Sequence, residues 1–246
     1  FANEYLGNDR VVVFKTKGQT PKVEKIDKPE IHSVELNRDK QSEFVKNWIK
    51  MESKPIEPVF VDLKKAISTS TLGSTKFHYV KNEENRLFSV TVRISMGNWH
   101  DKRSSLAISY LKLLGSKKMS NEALSKEMYS LGCSYSVSAG DEYSYIFIQG
   151  PEENCTTAMG LVAEFLAAPV ADEQVLSNIK EDALKNRENA KLNARAIQSK
   201  LSQYVLYGEN NPSNWVLSNQ SIKSITSKEL LNIWKLMLQS PMEISY

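Results

Sequence analysis

The chain has 246 residues, 41% of them hydrophobic and 25% charged, with 32 Lys and Arg against 29 Asp and Glu. That apolar fraction is too high for a solvated coil, and a net charge of +3 is too even to mark a nucleic-acid or anionic-membrane surface. No run of about 18 uncharged apolar residues occurs, so no membrane-spanning segment is read. In chain order, Phe1 to Leu6 reads as the last turn of a helix stopped by Gly7, and Val11 to Thr16 as a short buried strand. A helix end and one strand cannot bury themselves, so residues 1–17 are expected to close a preceding domain. Residues 18–65 read as a hinge. Its first part, 18–40, is polar, carries Pro21 and Pro29 and has no sustained period. Asp39 to Met51 then reads as a short amphipathic helix with Phe44, Val45, Trp48 and Ile49 on one stripe. Pro55 and Pro58 end it, and Val59 to Leu63 is apolar enough for a strand.

Residues 66–246 read as one α+β unit. Lys76–Lys81 and Leu87–Met96 alternate and flank a turn at Asn82–Asn85, which suggests a hairpin. A helix is expected from Lys102 to Leu114, closed by Gly115. Another runs from an N-cap at Ser120 to Leu131, closed by Gly132. Strands follow at Ser134–Ala139 and Tyr143–Ile148 around the turn residues Gly140, Asp141 and Glu142. Glu152–Ala168 reads as a helix broken by Pro169. Asp172 caps a long helix to about Leu206, and a last helix spans Ser227–Leu238. Ile244–Tyr246, after Pro241, reads as the start of a strand, so both ends look like interior points of a longer chain. The expected architecture is an antiparallel-rich mixed sheet with helices packed on one face.

Few residues announce chemistry. The two cysteines, Cys133 and Cys155, lack a C-x-x-C spacing. A chain this long needs no disulfide, so buried thiols are the simpler reading and their pairing stays open. The three histidines, His32, His78 and His100, are far apart, and a zinc site would need ligands gathered from scattered positions. His100, beside Trp99 at a helix start, reads as a capping or surface residue. Lys185–Lys191 reads as a solvated helix face. Tyr135, Tyr143 and Tyr145 read as cross-strand packing residues, and Asn211–Trp215 as a loop with one aromatic anchor. No Gly-rich phosphate loop is present.

The order of these elements resembles the M16 (pitrilysin/insulinase) metallopeptidase domain, a LuxS/MPP-like fold. The resemblance rests on Phe88–Gly97, the helix Leu106–Ser116, Leu131–Ser138, Tyr145–Gly150 and the long helix ending in Tyr207-Gly208. It covers residues 70–246 directly. It implies that residues 1–60 are the end of one such domain and the hinge to the next, and that four domains in two halves close around a peptide.

The resemblance also implies a zinc site in the parent, built on His-x-x-Glu-His, with two imidazoles on the metal and the carboxylate as general base. Aligned on Gly115-Ser116, those places hold Leu106, Ser109 and Tyr110. The family's third ligand, a glutamate on a later helix, falls near Glu181 or Glu188. No catalytic or metal residue is therefore assigned to this chain, no cofactor is expected in it, and substrate-binding residues are left unassigned. Zinc is expected in the parent protein. The implied role is a non-catalytic domain that helps enclose peptide substrate, with the catalytic half of the same polypeptide or a partner subunit as its mate. The alternative is a non-enzymatic assembly subunit of the same fold. The compartment, bacterial periplasm or cytoplasm, is left open.

Overall fold

The computed structural model describes residues 40–246 continuously, and before them positions 5, 7, 9, 11, 13, 14, 18, 28–30 and 32. Most of the helix end, strand and linker expected before residue 40 lies outside the described residues. Val11, Val13 and Phe14 are exposed and in no regular element. These three residues form no buried strand, and none of them pairs with a strand among the described residues. The chain divides into two units, Phe1–Pro58 and Val59–Tyr246.

In the first unit the described helix is α1 (Glu43–Lys50). It begins later than Asp39, because the Ser42 hydroxyl accepts the Val45 N–H at 3.2 Å and sets the N-cap there. Its Phe44 and Trp48 rings lie 6.1 Å apart and are exposed.

The second unit starts with extended chain and one helical turn, α2 (Leu63–Ala66), whose cap Asp62 accepts the Lys64 N–H at 3.1 Å. The strand expected over Val59–Leu63 is absent, since Asp62 turns the backbone into a helix. Six strands follow: β1 (Ser68–Leu72), β2 (Thr75–Tyr79), β3 (Leu87–Ile94), β4 (Ser134–Ala139), β5 (Ser144–Pro151) and β6 (Met242–Ser245). They form one sheet in the order β1-β2-β6-β3-β5-β4. Only β2–β6 is parallel.

The hairpin expected between Lys76–Lys81 and Leu87–Met96 is therefore wrong. β2 turns back on β1 through Gly73-Ser74, where Gly73 supplies the positive φ of 62° that a two-residue loop requires. On its other side the C-terminal strand β6 lies between β2 and β3, with His78 opposite Ser245 and Thr91 opposite Ser245. The loop after Tyr79 instead closes on itself. Asn82 Nδ2 donates to the Leu87 carbonyl at 2.9 Å, and Asn85 Oδ1 accepts the Leu87 N–H at 3.0 Å.

Alternation gives the sheet two unlike faces. Phe88, Val90 and Ile94 of β3 and Ile146 and Ile148 of β5 are buried under the helices. The other face is mixed, with Tyr145 and Phe147 beside polar residues, and there Glu243 pairs with Arg93 across one strand and with Lys76 across the other. The helix layer comprises α3 (Ser104–Leu111), α4 (Asn121–Ser130), α5 (Cys155–Ala167), α6 (Glu173–Ala190), α7 (Ala194–Tyr207), α8 (Asn219–Ser224) and α9 (Ser227–Gln239). Trp234 of α9 is buried and donates its indole N–H to the Leu166 carbonyl of α5 at 2.8 Å, so the large aromatic leaves no polar atom unpaired.

The long helix expected from Asp172 to Leu206 is two, α6 and α7. Asn193 interrupts it, because its side chain accepts the Arg195 and Ala196 N–H groups at 3.0 and 3.1 Å and caps a new start. Cys133 is buried, Cys155 half-buried, and both are free thiols.

Candidate functional site

The site is built from the turn that follows β3. Gly97 is required there by close approach: a Cβ would lie 2.5 Å from the Asp141 carbonyl oxygen and 2.6 Å from that of Gly140. This contact lets the Asn98 and Trp99 N–H groups donate to the Gly140 and Asp141 carbonyls, both at 2.9 Å. The β3 exit and the β4–β5 turn are thereby tied together.

α3 starts from that platform. Asp101 accepts the Arg103 backbone N–H at 2.8 Å and grips its guanidinium at 2.9 and 2.7 Å. The guanidinium holds the Asp101 carboxyl below its usual range. Asn98 Oδ1 accepts both the Ser105 N–H (3.1 Å) and its hydroxyl (2.8 Å). His100 is exposed, and its Nδ1 accepts the Gly97 N–H at 3.2 Å.

The motif positions fall one turn further on. Leu106 is half-buried and offers no donor atom. Ser109 is exposed and its hydroxyl donates to the Ser105 carbonyl at 2.8 Å. Tyr110 is fully buried, and its hydroxyl exchanges two hydrogen bonds with the Asp172 backbone. Burial pushes that phenol up from its ordinary value, away from the phenolate a metal would need. These residues do not fit a zinc ion. On α6, Glu188 is exposed and ion-paired with Lys191 at 2.8 Å, and Glu181 is exposed. Among the described residues no group of three or more His, Cys, Asp or Glu could hold a metal.

A cleft of about 350 Å³ nevertheless opens beside these positions. Leu106 and Ser109 line it from α3, while α6 contributes Ala183 and Arg187, one turn apart, rather than either glutamate. Arg187 is fixed by bonds to the Leu217 carbonyl (2.7 Å) and Asn219 Oδ1 (2.5 Å). Trp215 forms the third wall, its indole N–H donating to the Asn98 carbonyl at 2.8 Å. The Lys102 ammonium lies 3.9 Å from the centre of the Trp215 ring.

Sequence reasoning missed Arg187 by placing it in a solvated stretch, and it gave Trp215 no partner. Their only local signals were the Ala183/Arg187 spacing and an aromatic residue in a polar loop. The three tyrosines have separate neighbours: Tyr135 lies opposite Ile148 with its ring 6.5 Å from Phe165, Tyr145 opposite Ser138, and Tyr143 under the Arg93 guanidinium. A larger cleft of about 1220 Å³, lined by His78, Ser89, Gln149 and Tyr246, occupies the other side of the sheet.

This arrangement, an antiparallel-rich sheet backed on one face by helices, is the fold of M16 peptidase domains. An inactive M16 peptidase domain from Pseudomonas fluorescens superposes with a TM-score of 0.60 at 19% identity, over 73% of this chain and 46% of that one. The periplasmic protease PqqL from Escherichia coli gives 0.63 at 11% identity, over 89% and 24%. The ferredoxin protease FusC, solved in complex with Arabidopsis ferredoxin, gives 0.61 at 16% identity, over 80% and 24%. The chain thus spans from 24% to 46% of the length of these proteins. No family model and no curated relative matches the sequence. Among the described residues no helix is long and apolar enough to cross a membrane.

Proposed function

We propose that residues 66–246 form a non-catalytic domain of a zinc-dependent M16-like peptidase, preceded by a hinge (18–65) and the end of another such domain (1–17). The zinc site would lie in the other half, and this domain would help to enclose the peptide. One observation carries the reading: where the family's active helix presents two imidazoles and a carboxylate, this helix presents Leu106, Ser109 and Tyr110, with the tyrosine committed to Asp172. The likeness to a domain described as inactive supports it. Peptide bonds would be cleaved by the parent, not by these residues.

The test is the metal content and peptidase activity of the purified chain, followed by the coding sequence on its N-terminal side. The expected result is no stoichiometric zinc, no cleavage, and a His-x-x-Glu-His motif upstream. A chain that bound one zinc and cut peptides unaided would overturn the proposal. An upstream segment without the motif would favour the assembly-subunit reading.

A further inference from the structure

The cleft beside α3 has its own chemistry, whatever the parent does. Its volume of about 350 Å³ falls at the lower end of the range that holds small ligands. Three tryptophans belong to Val59–Tyr246. Trp234 is buried, whereas Trp99 and Trp215 are 51% and 47% exposed, and both of these line this cleft. Exposed indoles in a concavity are a mark of recognition, because they offer large rigid area with one polar edge.

Charge narrows the choice. Two cations, Lys102 and Arg187, line the cleft against one acid, Asp141. Arg187 is held in the wall by the neutral Leu217 carbonyl and Asn219 amide oxygen, so it keeps its positive charge. Lys102 is held over the Trp215 ring and makes no ion pair among the described residues, so its charge is positioned without being neutralised. Leu106, Val216 and Leu217 add apolar side chains to the same lining. The bonds from Trp215 and Ser105 to Asn98 fix this geometry before anything binds, which lowers the ordering cost.

We propose that this cleft binds an apolar carboxylate, the chemistry shared by a free hydrophobic acid and by the last residue of a peptide chain. The carboxylate would accept a charge-assisted bond from Lys102, and the side chain would lie on Leu106 and Leu217. The proposal goes beyond the functional reading above and does not rest on it, because the cleft's chemistry is the same with or without a zinc-bearing mate.

The experiment is calorimetric titration of the 246-residue chain, with indole N–H signals followed by NMR. The probes are N-acetyl-phenylalanine, its amide, 3-phenylpropionate and a tripeptide ending in phenylalanine. The expected result is saturable binding of the acid that shifts the Trp99 and Trp215 signals, with the amide at least about tenfold weaker. Lys102→Gln, whose folding is checked by circular dichroism, should bind acid and amide alike. Equal binding of acid and amide by the unmodified chain, or no saturation, would overturn the proposal. A tripeptide that binds more tightly than 3-phenylpropionate assigns the carboxylate to a peptide end, and the reverse order assigns it to a free acid.

Discussion

Tyr110 and Asp172, far apart in sequence, are bonded to each other twice: the tyrosine hydroxyl accepts the Asp172 N–H at 2.8 Å and donates to the Asp172 carbonyl at 3.0 Å. The same Asp172 caps α6 by accepting the Gln174 and Val175 N–H groups at 2.9 and 3.0 Å. One phenol therefore pins the start of α6 to α3. Tyr110→Phe keeps the packing and removes both bonds. It should cost about 1 to 3 kcal/mol in urea unfolding, the range for leaving backbone groups unpaired beside a buried side chain. A change near zero would show that this clasp does not hold the two helices.

Gly97 and Gly160 make a matched pair. At Gly97 a Cβ meets two backbone carbonyl oxygens at 2.5 and 2.6 Å, and backbone cannot swing aside as a side chain can. Gly97→Ala should destabilise by about 2 kcal/mol or more and loosen the mouth of the Trp215 cleft. Gly160, inside α5, has nothing within 4 Å of its would-be Cβ. Gly160→Ala should stabilise by up to about 1 kcal/mol through helix propensity alone. Thermal melts of both variants decide it, and shifts of the same sign would contradict the argument.

The sequence made the local pieces of this fold legible and hid the long-range ones. Ser120 and Asp172 declared their helices because a capping side chain acts on backbone two or three residues away. Strand β4 emerged with the expected bounds from alternation alone. β1, with Ser68-Thr69-Ser70-Thr71, has no apolar alternation to read, since all five of its residues are exposed at the sheet edge. Likewise nothing near Tyr79 says that a strand from the far end of the chain will slip in beside it. The Asn82–Asn85 turn looked like a hairpin turn because its own side chains satisfy the backbone in both cases.

The site divides in the same way. Leu106, Ser109 and Tyr110 were readable because one helix fixes their spacing, so the absence of zinc-binding side chains at those places needed no structure. The cleft was not readable. Trp215 meets Asn98 and Lys102 only after α6 and α7 have carried the chain back across the molecule.

Acid should weaken the entrance to α3. The Asp101 carboxyl is held low chiefly by its hydrogen bonds to Arg103, against the opposing effect of burial. Because its folded-state pKa lies below the unfolded value of about 3.9, its contribution is complete above that value and is lost as pH falls through the lower one. Asp101→Asn removes the titrating group. Urea midpoints of the two proteins should differ by a constant amount from pH 7 to 5 and converge below about pH 4. A difference that persisted unchanged at pH 2.5 would place the effect in packing rather than in charge.

The two thiols should react slowly and in a fixed order. Burial raises the pKa of Cys133, helped by the nearby Cys155, and burial likewise raises that of Cys155. Cys133 is also shielded by packing, its Sγ lying 2.3 Å from where a Cβ on Gly150 would stand. Since only the thiolate attacks, both should be alkylated more slowly than a free thiol at pH 7.5, with Cys155 ahead of Cys133. Peptide mass spectrometry after timed iodoacetamide treatment reads the order directly. In urea both should react at one common rate, because the barrier is the fold and not the cysteines. If Cys133 reacted first in the folded chain, its packing against Gly150 would have to be looser than their close approach requires.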